Sequence, residues 1–292
     1  MLLPRLGTTG VALGAAVAGW ALVEPHLPVL RRCTVPVLPS GWAPLRVLHL
    51  SDLHLLPRQR RKTAWVRGLA ALEADLVVST GDHLSSADAL DALADTLGAL
   101  TADGIPGVFV PGNNDYYSPV RPSLLGYVTG GDPVRRAPDL PWERAAAMLV
   151  EKGWTDLTHE RVELQVAGRP VVLTGTDDAH LRRDRYPRVA GRVDGFGLGV
   201  THTPKRALLR AFERDGHAMV LAGHTHGGQV RVPGVGPLVT NCDLQRSRAR
   251  GLTRGEGGWL HVSAGLGCSP YLPVRVACRP EATLLELVQG GG

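Results

Sequence analysis

The chain has 292 residues, of which 44% are hydrophobic and 20% charged, values that are ordinary for a globular protein and exclude a disordered one. This length suits one large α/β domain or two small ones. The formal net charge is +5, but no basic run is interleaved with aromatic residues, so no nucleic-acid partner is expected. A solvated basic surface and attraction to an anionic substrate or membrane are the two interpretations of the charge.

The first residues are predicted to form a hydrophobic helix. Residues 6–23 carry no charged side chain, and Glu24 and Pro25 end the stretch. Its length is close to the lower limit for a membrane-spanning helix, and a membrane anchor, a cleaved signal peptide and a buried or interfacial helix are left open. For an anchor, the many arginines that follow place the main domain in the cytoplasm. Residues 1–24 are therefore predicted to bind the chain to the cell membrane.

Residues 25–44 contain five prolines, which indicates a Pro-rich linker or an edge strand rather than a helix. The main domain is predicted to cover residues 45–289. Its first half alternates short apolar strands, at 45–51, 76–80 and 107–111, with helices at 62–73 and 88–100. A Pro- and Gly-rich loop at 116–141 and a helix at 142–153 precede a second half rich in strands. This mixture predicts an α/β fold with two packed sheets and helices outside them.

Polar side chains follow the apolar strands at the point where each strand ends. Sites form beyond the carboxyl ends of strands in open α/β sheets, so we expect these side chains to share one site. The spacing of two predicts that Asp52 and His54 lie on the same side of an extended chain. Carboxylate, imidazole and amide ligands suit Mn, Fe, Zn or Co. The candidate metal ligands are Asp52, His54, Asp82, Asn113, His202, His224 and His226.

The sequence pieces that contain these residues are SDLH (51–54), GD (81–82), GNND (112–115), TH (201–202) and GHTHGGQ (223–229). Their order and separation resemble the calcineurin-like metallophosphoesterase family, and most closely its membrane-associated bacterial branch. The resemblance implies a four-layer αββα sandwich at the bacterial cell membrane, with two divalent or trivalent metal ions whose identity it leaves open. It also implies that Asp52, His54 and His226 hold the first ion, that Asn113, His202 and His224 hold the second, and that Asp82 bridges them.

One position departs from the family pattern. Asn114 stands where these enzymes usually have a histidine that donates to the phosphate or protonates the leaving group. An amide donates a hydrogen bond but supplies no proton, which favours a phosphodiester or a pyrophosphate, of a lipid or cell-envelope precursor, as substrate. A broad phosphomonoesterase and a metal-binding scaffold with weak catalysis are the alternatives. Asn114 and Asp82 are the predicted catalytic residues, and His83 is a second candidate for the missing donor.

Three residues are candidates for substrate contacts: Asn114, His180 and Arg182. His180 lies close to another predicted strand end. Arg182 begins a cluster of arginines that suits bidentate phosphate contacts, and a solvated surface is the alternative. The loop 116–141 is partly apolar and aromatic, which makes it a hypothetical lid over a lipid-like substrate. The sequence does not indicate an oligomeric state.

Overall fold

The computed structural model describes residues 14–120, 137–255 and 257–290. Residues 14–23 form helix α1, and the later helices are α2 (Arg60–Arg67), α3 (Leu90–Gly98), α4 (Asn113–Tyr116), α5 (Trp142–Glu151) and α6 (Arg206–Arg214). Short 3₁₀ helices lie at Glu24–His26, Gly68–Leu72, Ala87–Ala89, Tyr186–Arg188, His226–Gly228 and Arg246–Arg248. The helix predicted at 62–73 therefore continues from α2 into a 3₁₀ turn. The helix predicted at 88–100 is α3, and the Ser86 hydroxyl caps the turn before it.

A first six-stranded sheet contains the strands β1 (Val29–Leu38), β2 (Leu45–Leu50), β3 (Leu76–Ser79), β4 (Gly107–Phe109), β5 (Trp154–Asp156) and β14 (Glu281–Gln289). The strand order is β1-β14-β2-β3-β4-β5. β2 to β5 are mutually parallel, and β14 is antiparallel to β2. β2, β3 and β4 are short apolar runs that are almost entirely buried, which is typical of parallel strands covered on both faces.

A second six-stranded sheet contains β6 (Arg161–Val166), β7 (Arg169–Gly175), β8 (Phe196–Val200), β9 (Met219–Ala222), β12 (Gly251–Arg254) and β13 (Trp259–Val262). The strand order is β12-β13-β9-β8-β7-β6. The four central strands are parallel, and β6 and β12 are antiparallel edges. β10 (Arg231–Val232) and β11 (Gly236–Pro237) form a separate two-stranded ribbon.

Three apolar clusters separate four layers. α2, α3 and α5 pack on the first sheet, the inner faces of the two sheets pack on each other, and α6 packs on the second sheet. Helix α6 shows why such a helix forms, because Leu208, Leu209, Ala211 and Phe212 are buried along one face of it. The order of the layers is α, β, β, α, which confirms the predicted sandwich.

The N-terminal boundary of the sandwich differs from the prediction. β1 lies within residues 25–44, which were predicted to be a Pro-rich linker or an edge strand, and it pairs in parallel with β14 along most of its length. Val35 and Leu38 are buried in the cluster between the two sheets. Pro36 is tolerated because β1 is an edge strand, where one side of the backbone needs no partner. Of the two alternatives for residues 25–44, the edge strand is therefore what the chain forms over Val29–Leu38, and the sandwich begins before residue 45.

Helix α1 is fixed to the sandwich at its C-terminal end. The buried Glu24 carboxylate accepts hydrogen bonds from the backbone N–H groups of Ala277 (3.0 Å) and Cys278 (2.6 Å) and from the Trp20 indole (2.8 Å). The exposed side chains of α1 include Val17, Trp20, Leu22 and Val23, which are 46–56% exposed. Residues 6–13 of the predicted hydrophobic helix lie outside the described residues. Among the described residues, no helix has the length and hydrophobicity needed to cross a membrane.

Candidate metal centre

The candidate ligands meet at one edge of the sandwich. Each follows a strand that runs toward that edge, and the strands concerned are β2, β3 and β4 of the first sheet and β8 and β9 of the second. The carboxyl ends of parallel strands lie together, so side chains far apart in sequence converge there. The residues placed in this way are Asp52, His54, Asp82, Asn113, His202, His224 and His226.

Four of these residues form a first cluster. One ligand atom from each of Asp52, His54, Asp82 and His226 lies within 4.8 Å of all the others. The Nε2 atoms of His54 and His226 are 3.3 Å apart, and His54 Nε2 is 3.4 Å from Asp82 Oδ2. His226 Nε2 is 3.5 Å from Asp52 Oδ1. Nitrogen lone pairs and carboxylate oxygens that point at a common centre are the donor set of a divalent cation.

A second cluster lies on the other side of Asp82. His202 Nε2 is 3.4 Å from Asp82 Oδ1 and 3.3 Å from His224 Nδ1. The remaining nitrogen of each imidazole faces a backbone carbonyl, His202 Nδ1 at 2.6 Å and His224 Nε2 at 3.1 Å. Those nitrogens therefore donate, which leaves the nitrogens in the cluster free to bind a metal.

Asn113 supplies an independent test of whether this cluster fits a metal ion. Its Oδ1 atom is buried, and it has no hydrogen-bond partner within the described part of the chain. A buried acceptor without a partner is costly to the fold. A cation bound among the neighbouring imidazoles would satisfy that oxygen, so the donor set fits a second ion.

The backbone at the site is strained. The predicted extended conformation of Asp52 and His54 is wrong, because both residues have positive φ, as do three of the other candidate ligands. The φ values are 50° at Asp52, 45° at His54, 55° at Asp82, 70° at His224 and 48° at His226. Each such conformation costs about 1–3 kcal/mol in a residue other than glycine. The turns aim these side chains at the centre, which alternation along a strand would not do.

Burial lowers the pKa of two of the candidate imidazole ligands. It lowers the pKa of His54 to about 4, and together with the neighbouring His202 it lowers the pKa of His224 to about 3. Burial also opposes the ionisation of Asp82, but His202 and the hydrogen bond from Asn114 outweigh it and hold the pKa of Asp82 well below its usual range. His202 is different, because the charge of Asp82 outweighs burial and holds the pKa of His202 well above its usual range. A metal ion bound there would replace that proton.

The chain matches the profile of the calcineurin-like phosphoesterase family over residues 45–228, a stretch that contains all seven candidate ligands. The chain belongs to this family. The metallophosphoesterase is 29% identical over 249 residues to the uncharacterized metallophosphoesterase YkoQ of Bacillus subtilis (strain 168), which covers 83% of each protein. It is 29% identical over 274 residues to the phosphodiesterase YaeI of Escherichia coli (strain K12), covering 91% of this chain and 90% of that protein.

A third relative comes from Danio rerio and is called a transmembrane protein with metallophosphoesterase domain. It is 29% identical over 301 residues, covering 98% of this chain and 63% of that protein. Membership of the family makes the chain a metal-dependent phosphoesterase, and the family uses two divalent metal ions.

Asn114 of the metallophosphoesterase bonds Asp82. Its backbone N–H donates to Asp82 Oδ1 at 2.8 Å, and its side-chain Nδ2 donates to Asp82 Oδ2 at 2.8 Å. The amide predicted to contact substrate therefore holds the central carboxylate, although Asn114 also lines the pocket above the clusters. Since both carboxylate oxygens are held, the orientation of Asp82 is fixed.

His83 does not replace the histidine that Asn114 displaces. It is fully buried, with Nδ1 2.9 Å from Asp115 Oδ2 and Nε2 2.8 Å from Ser79 Oγ, and its ring stacks on Trp142. Asp115 also accepts from the backbone N–H of Gly112 at 2.9 Å. His83 is thus a core histidine that fixes the 112–115 loop through Asp115.

Arg275 supports the site and was not predicted from the sequence. Its guanidinium is fully buried and donates to the backbone carbonyls of Ala264 (2.8 Å) and Gly267 (2.7 Å). The same group lies 3.4 Å from His226 Nδ1, and Gly267 N–H donates to the carbonyl of Asp52 at 2.6 Å. An arginine within an otherwise apolar stretch, YLPVRVAC, was the sequence signal, because buried charges usually have a specific role.

The metal pocket is the cavity of about 220 Å³ above the two clusters. His180 lines it, with its ring centroid 4.8 Å from that of His224, and Val120, Val239 and Leu272 supply apolar walls. The structure thus brings His180 to the site predicted for it.

Arg182 lies elsewhere. It lines a separate cavity of about 840 Å³ together with Arg183, Arg185 and Arg188. Arg183 is paired with Asp177 at 2.7 Å and lies 4.0 Å above the ring of Tyr116. The arginine cluster is therefore not part of the metal pocket.

Proposed function

We propose that this metallophosphoesterase hydrolyses a phosphodiester or a pyrophosphate. The observation that carries the choice is Asn114, which bonds Asp82 and has no proton to give to a leaving group. A leaving group that departs without a proton, such as a phosphate or an acidic alcohol, suits this pocket better than a simple alkoxide. The similar Escherichia coli protein is named a phosphodiesterase, which supports the same choice.

The proposed ligand sets follow the two clusters. Asp52, His54 and His226 would hold one ion, and Asn113, His202 and His224 would hold the other. Asp82 would be available to both, because its two oxygens face the two clusters. When bound, two such ions lower the pKa of a water molecule and neutralise the charge of the phosphoryl oxygens.

The residues of the chain itself hold the ligands in place. Asn114 fixes both oxygens of Asp82, and the carbonyl of Thr80 orients His202. The carbonyl of Asn241 orients His224 in the same way. His180 is proposed to donate to the phosphate, since it lines the pocket without being one of the ligands. Such positioning avoids reorganisation during the reaction.

A lipid or cell-envelope precursor is the proposed substrate, at the bacterial cell membrane with the catalytic domain in the cytoplasm. The exposed apolar side chains of α1 and the apolar walls of the metal pocket support a lipid-like molecule. The Danio rerio relative is called a transmembrane protein. The excess of arginine after residue 24 supports the cytoplasmic orientation.

The test combines metal analysis with a panel of phosphoesters. With manganese added, bis(p-nitrophenyl) phosphate is expected to turn over faster than p-nitrophenyl phosphate or glycerol 2-phosphate. Asn114→His is expected to raise glycerol 2-phosphate turnover about tenfold or more, because it restores a proton donor. Asn114→Gln is the matched control and should give no such gain.

Two results would contradict the proposal. Faster monoester than diester turnover by the natural chain would indicate a broad phosphomonoesterase. Two bound ions with no turnover of any phosphoester would indicate a metal-binding scaffold.

A further inference from the structure

A third cavity lies beside α2. We call it the basic groove, a cavity of about 540 Å³ between the 25–28 segment and α2. Its walls are apolar and include Pro25, Pro28, Trp65 and Leu266. Its remaining lining consists of His26, Gln59 and four basic side chains, Arg58, Arg60, Arg61 and Lys62. No aspartate or glutamate is among the described residues that line it.

The cations of the basic groove have no acidic partner among the described residues. In the regions the structure describes, none of the four forms an ion pair. Lys62 donates to the carbonyl of Leu53 at 2.8 Å, and the three arginines are exposed. Basic side chains without ion pairs repel each other and do not stabilise the folded state. Their arrangement suits an anionic ligand that the protein itself does not supply.

Helix α2 adds to this field. Arg60, Arg61 and Lys62 occupy its first turn, and the first turn contains no acidic residue. The N-terminus of a helix carries partial positive charge, so basic side chains are unfavourable there and anions are favourable. The sequence of α2 therefore lowers the stability of its own N-terminus, and a bound anion would reverse that effect.

The apolar side chains of α1 directly precede the groove in the sequence. The exposed side chains of Val17, Trp20, Leu22 and Val23 precede Pro25, the first wall residue, by a few positions in the chain. An apolar surface that leads to a cluster of cations matches the acyl chains and phosphate of an anionic lipid. A soluble nucleotide could stack its base on Trp65, but it would leave the exposed apolar side chains of α1 uncovered.

We infer that the basic groove binds an anionic phospholipid, with one acyl chain between Pro28, Trp65 and Leu266 and the phosphate against Arg58, Arg60 and Arg61. This site is separate from the metal pocket. The inference does not depend on the proposed reaction, because lipid binding and phosphoester turnover are measured independently.

The first experiment measures binding of the full chain to vesicles of phosphatidylcholine with and without phosphatidylglycerol. Arg58→Gln, Arg60→Gln and Arg61→Gln together are expected to weaken binding to the anionic vesicles about tenfold or more, because each basic residue near such a surface contributes to binding. Hydrolysis of bis(p-nitrophenyl) phosphate by this variant should be unchanged.

The matched control removes three positive charges from α6, the helix that packs on the second sheet. Arg206→Gln, Arg210→Gln and Arg214→Gln together alter α6, and this variant should bind the anionic vesicles like the natural chain. Equal weakening by both triple variants, or equal binding to neutral and anionic vesicles, would overturn the inference. Thermal unfolding confirms that both variants are folded.

A second experiment locates the acyl chain. Vesicles with brominated acyl chains should quench tryptophan fluorescence, and Trp65→Phe should remove part of that quenching, whereas Trp259→Phe on β13 should not. Quenching that is lost only with Trp20→Phe would place the lipid on α1 alone and overturn the inference. Displacement of the vesicles by millimolar inorganic phosphate would indicate a free-anion site and would equally overturn it.

Discussion

The metal pocket and the basic groove differ in the sign, pairing and burial of their charged side chains, although residues of the segment 266–272 line both. Leu266 lines the groove, and Ser269 and Leu272 line the pocket. In the pocket, carboxylates and imidazoles face each other at 3.3–3.5 Å and are largely buried. In the groove, the four cations meet no carboxylate from the described part of the chain, and the three arginines are exposed. The pocket is built to receive cations, and the groove is built to receive an anion.

The largest effect is expected from a substitution of Asp82, which should impair the metal pocket but not the basic groove. Asp82→Asn should lower the turnover of bis(p-nitrophenyl) phosphate by about 10³-fold, since the loss of a shared carboxylate ligand weakens stabilisation worth several kcal/mol. Binding to anionic vesicles should stay within about twofold of the natural chain, because Asp82 does not line the groove. Steady-state kinetics with saturating manganese and vesicle binding measure the two effects.

Asp95→Asn is the control for this substitution, because Asp95 is exposed on α3. It should change neither measurement. Turnover by Asp82→Asn within tenfold of the natural chain would show that Asp82 is not the shared ligand.

A smaller effect is expected at Arg275, which holds the 264–267 segment that adjoins both sites. Arg275→Met keeps the length of the side chain but removes the donors to Ala264 and Gly267. Metal affinity should fall about 10–100-fold, as is typical when a group that orients metal ligands is lost. Titration calorimetry with manganese measures the change.

The control is Arg279→Met, an exposed arginine that bonds the carbonyl of Leu27. It should bind manganese like the natural chain. Arg275→Lys keeps the charge with fewer donors, so its affinity should be intermediate. Unchanged affinity in folded Arg275→Met would exclude the supporting role.

The smallest effect concerns stability, at Glu281. This buried carboxylate pairs with Arg250 at 2.6 Å and accepts from the backbone of Ala264. Burial would raise its pKa, but the charges and hydrogen bonds of Arg250 and Arg31 hold the pKa below 4.5. A depressed pKa stabilises the fold above the unfolded-state value, and this stability is lost as pH falls through the folded-state value.

Glu281→Gln should therefore lower the free energy of unfolding by about 2 kcal/mol near neutral pH, and the difference should shrink below about pH 4. Urea unfolding at both pH values measures it. Glu286→Gln, on the exposed face of the same strand, is the control. A difference that stays constant with pH would assign the loss to packing rather than to charge.

The positions of the seven candidate ligands could be predicted because each follows a buried apolar strand. Asn113 after β4 and His202 after β8 are examples in which residue type and position agree. The layers were predictable for the same reason, since parallel strands need helices on their outer faces. The left-handed turns at Asp52 and His54 were not, because such a conformation depends on contacts with Gly265 and Gly267 from a distant segment.

The features that the sequence did not reveal depend on pairing over long distances. The prolines of β1 left a linker and an edge strand open, and the partner that decides between them, β14, lies about 250 residues later. Arg275 acts on His226, 49 residues away in sequence. The basic groove requires the 25–28 segment to lie against α2. None of these contacts leaves a periodic pattern in the local sequence.

The bonds of Glu24 to the backbone of Ala277 and Cys278 give α1 a fixed angular register. A helix on a flexible linker could rotate about its axis, whereas the hydrogen bonds of Glu24 prevent this rotation at the C-terminal end of α1. One residue inserted before Glu24 would rotate the exposed face of α1 by about 100° relative to the basic groove. A partner bound to that face would therefore take one orientation relative to the sandwich, because Glu24 is bonded to it.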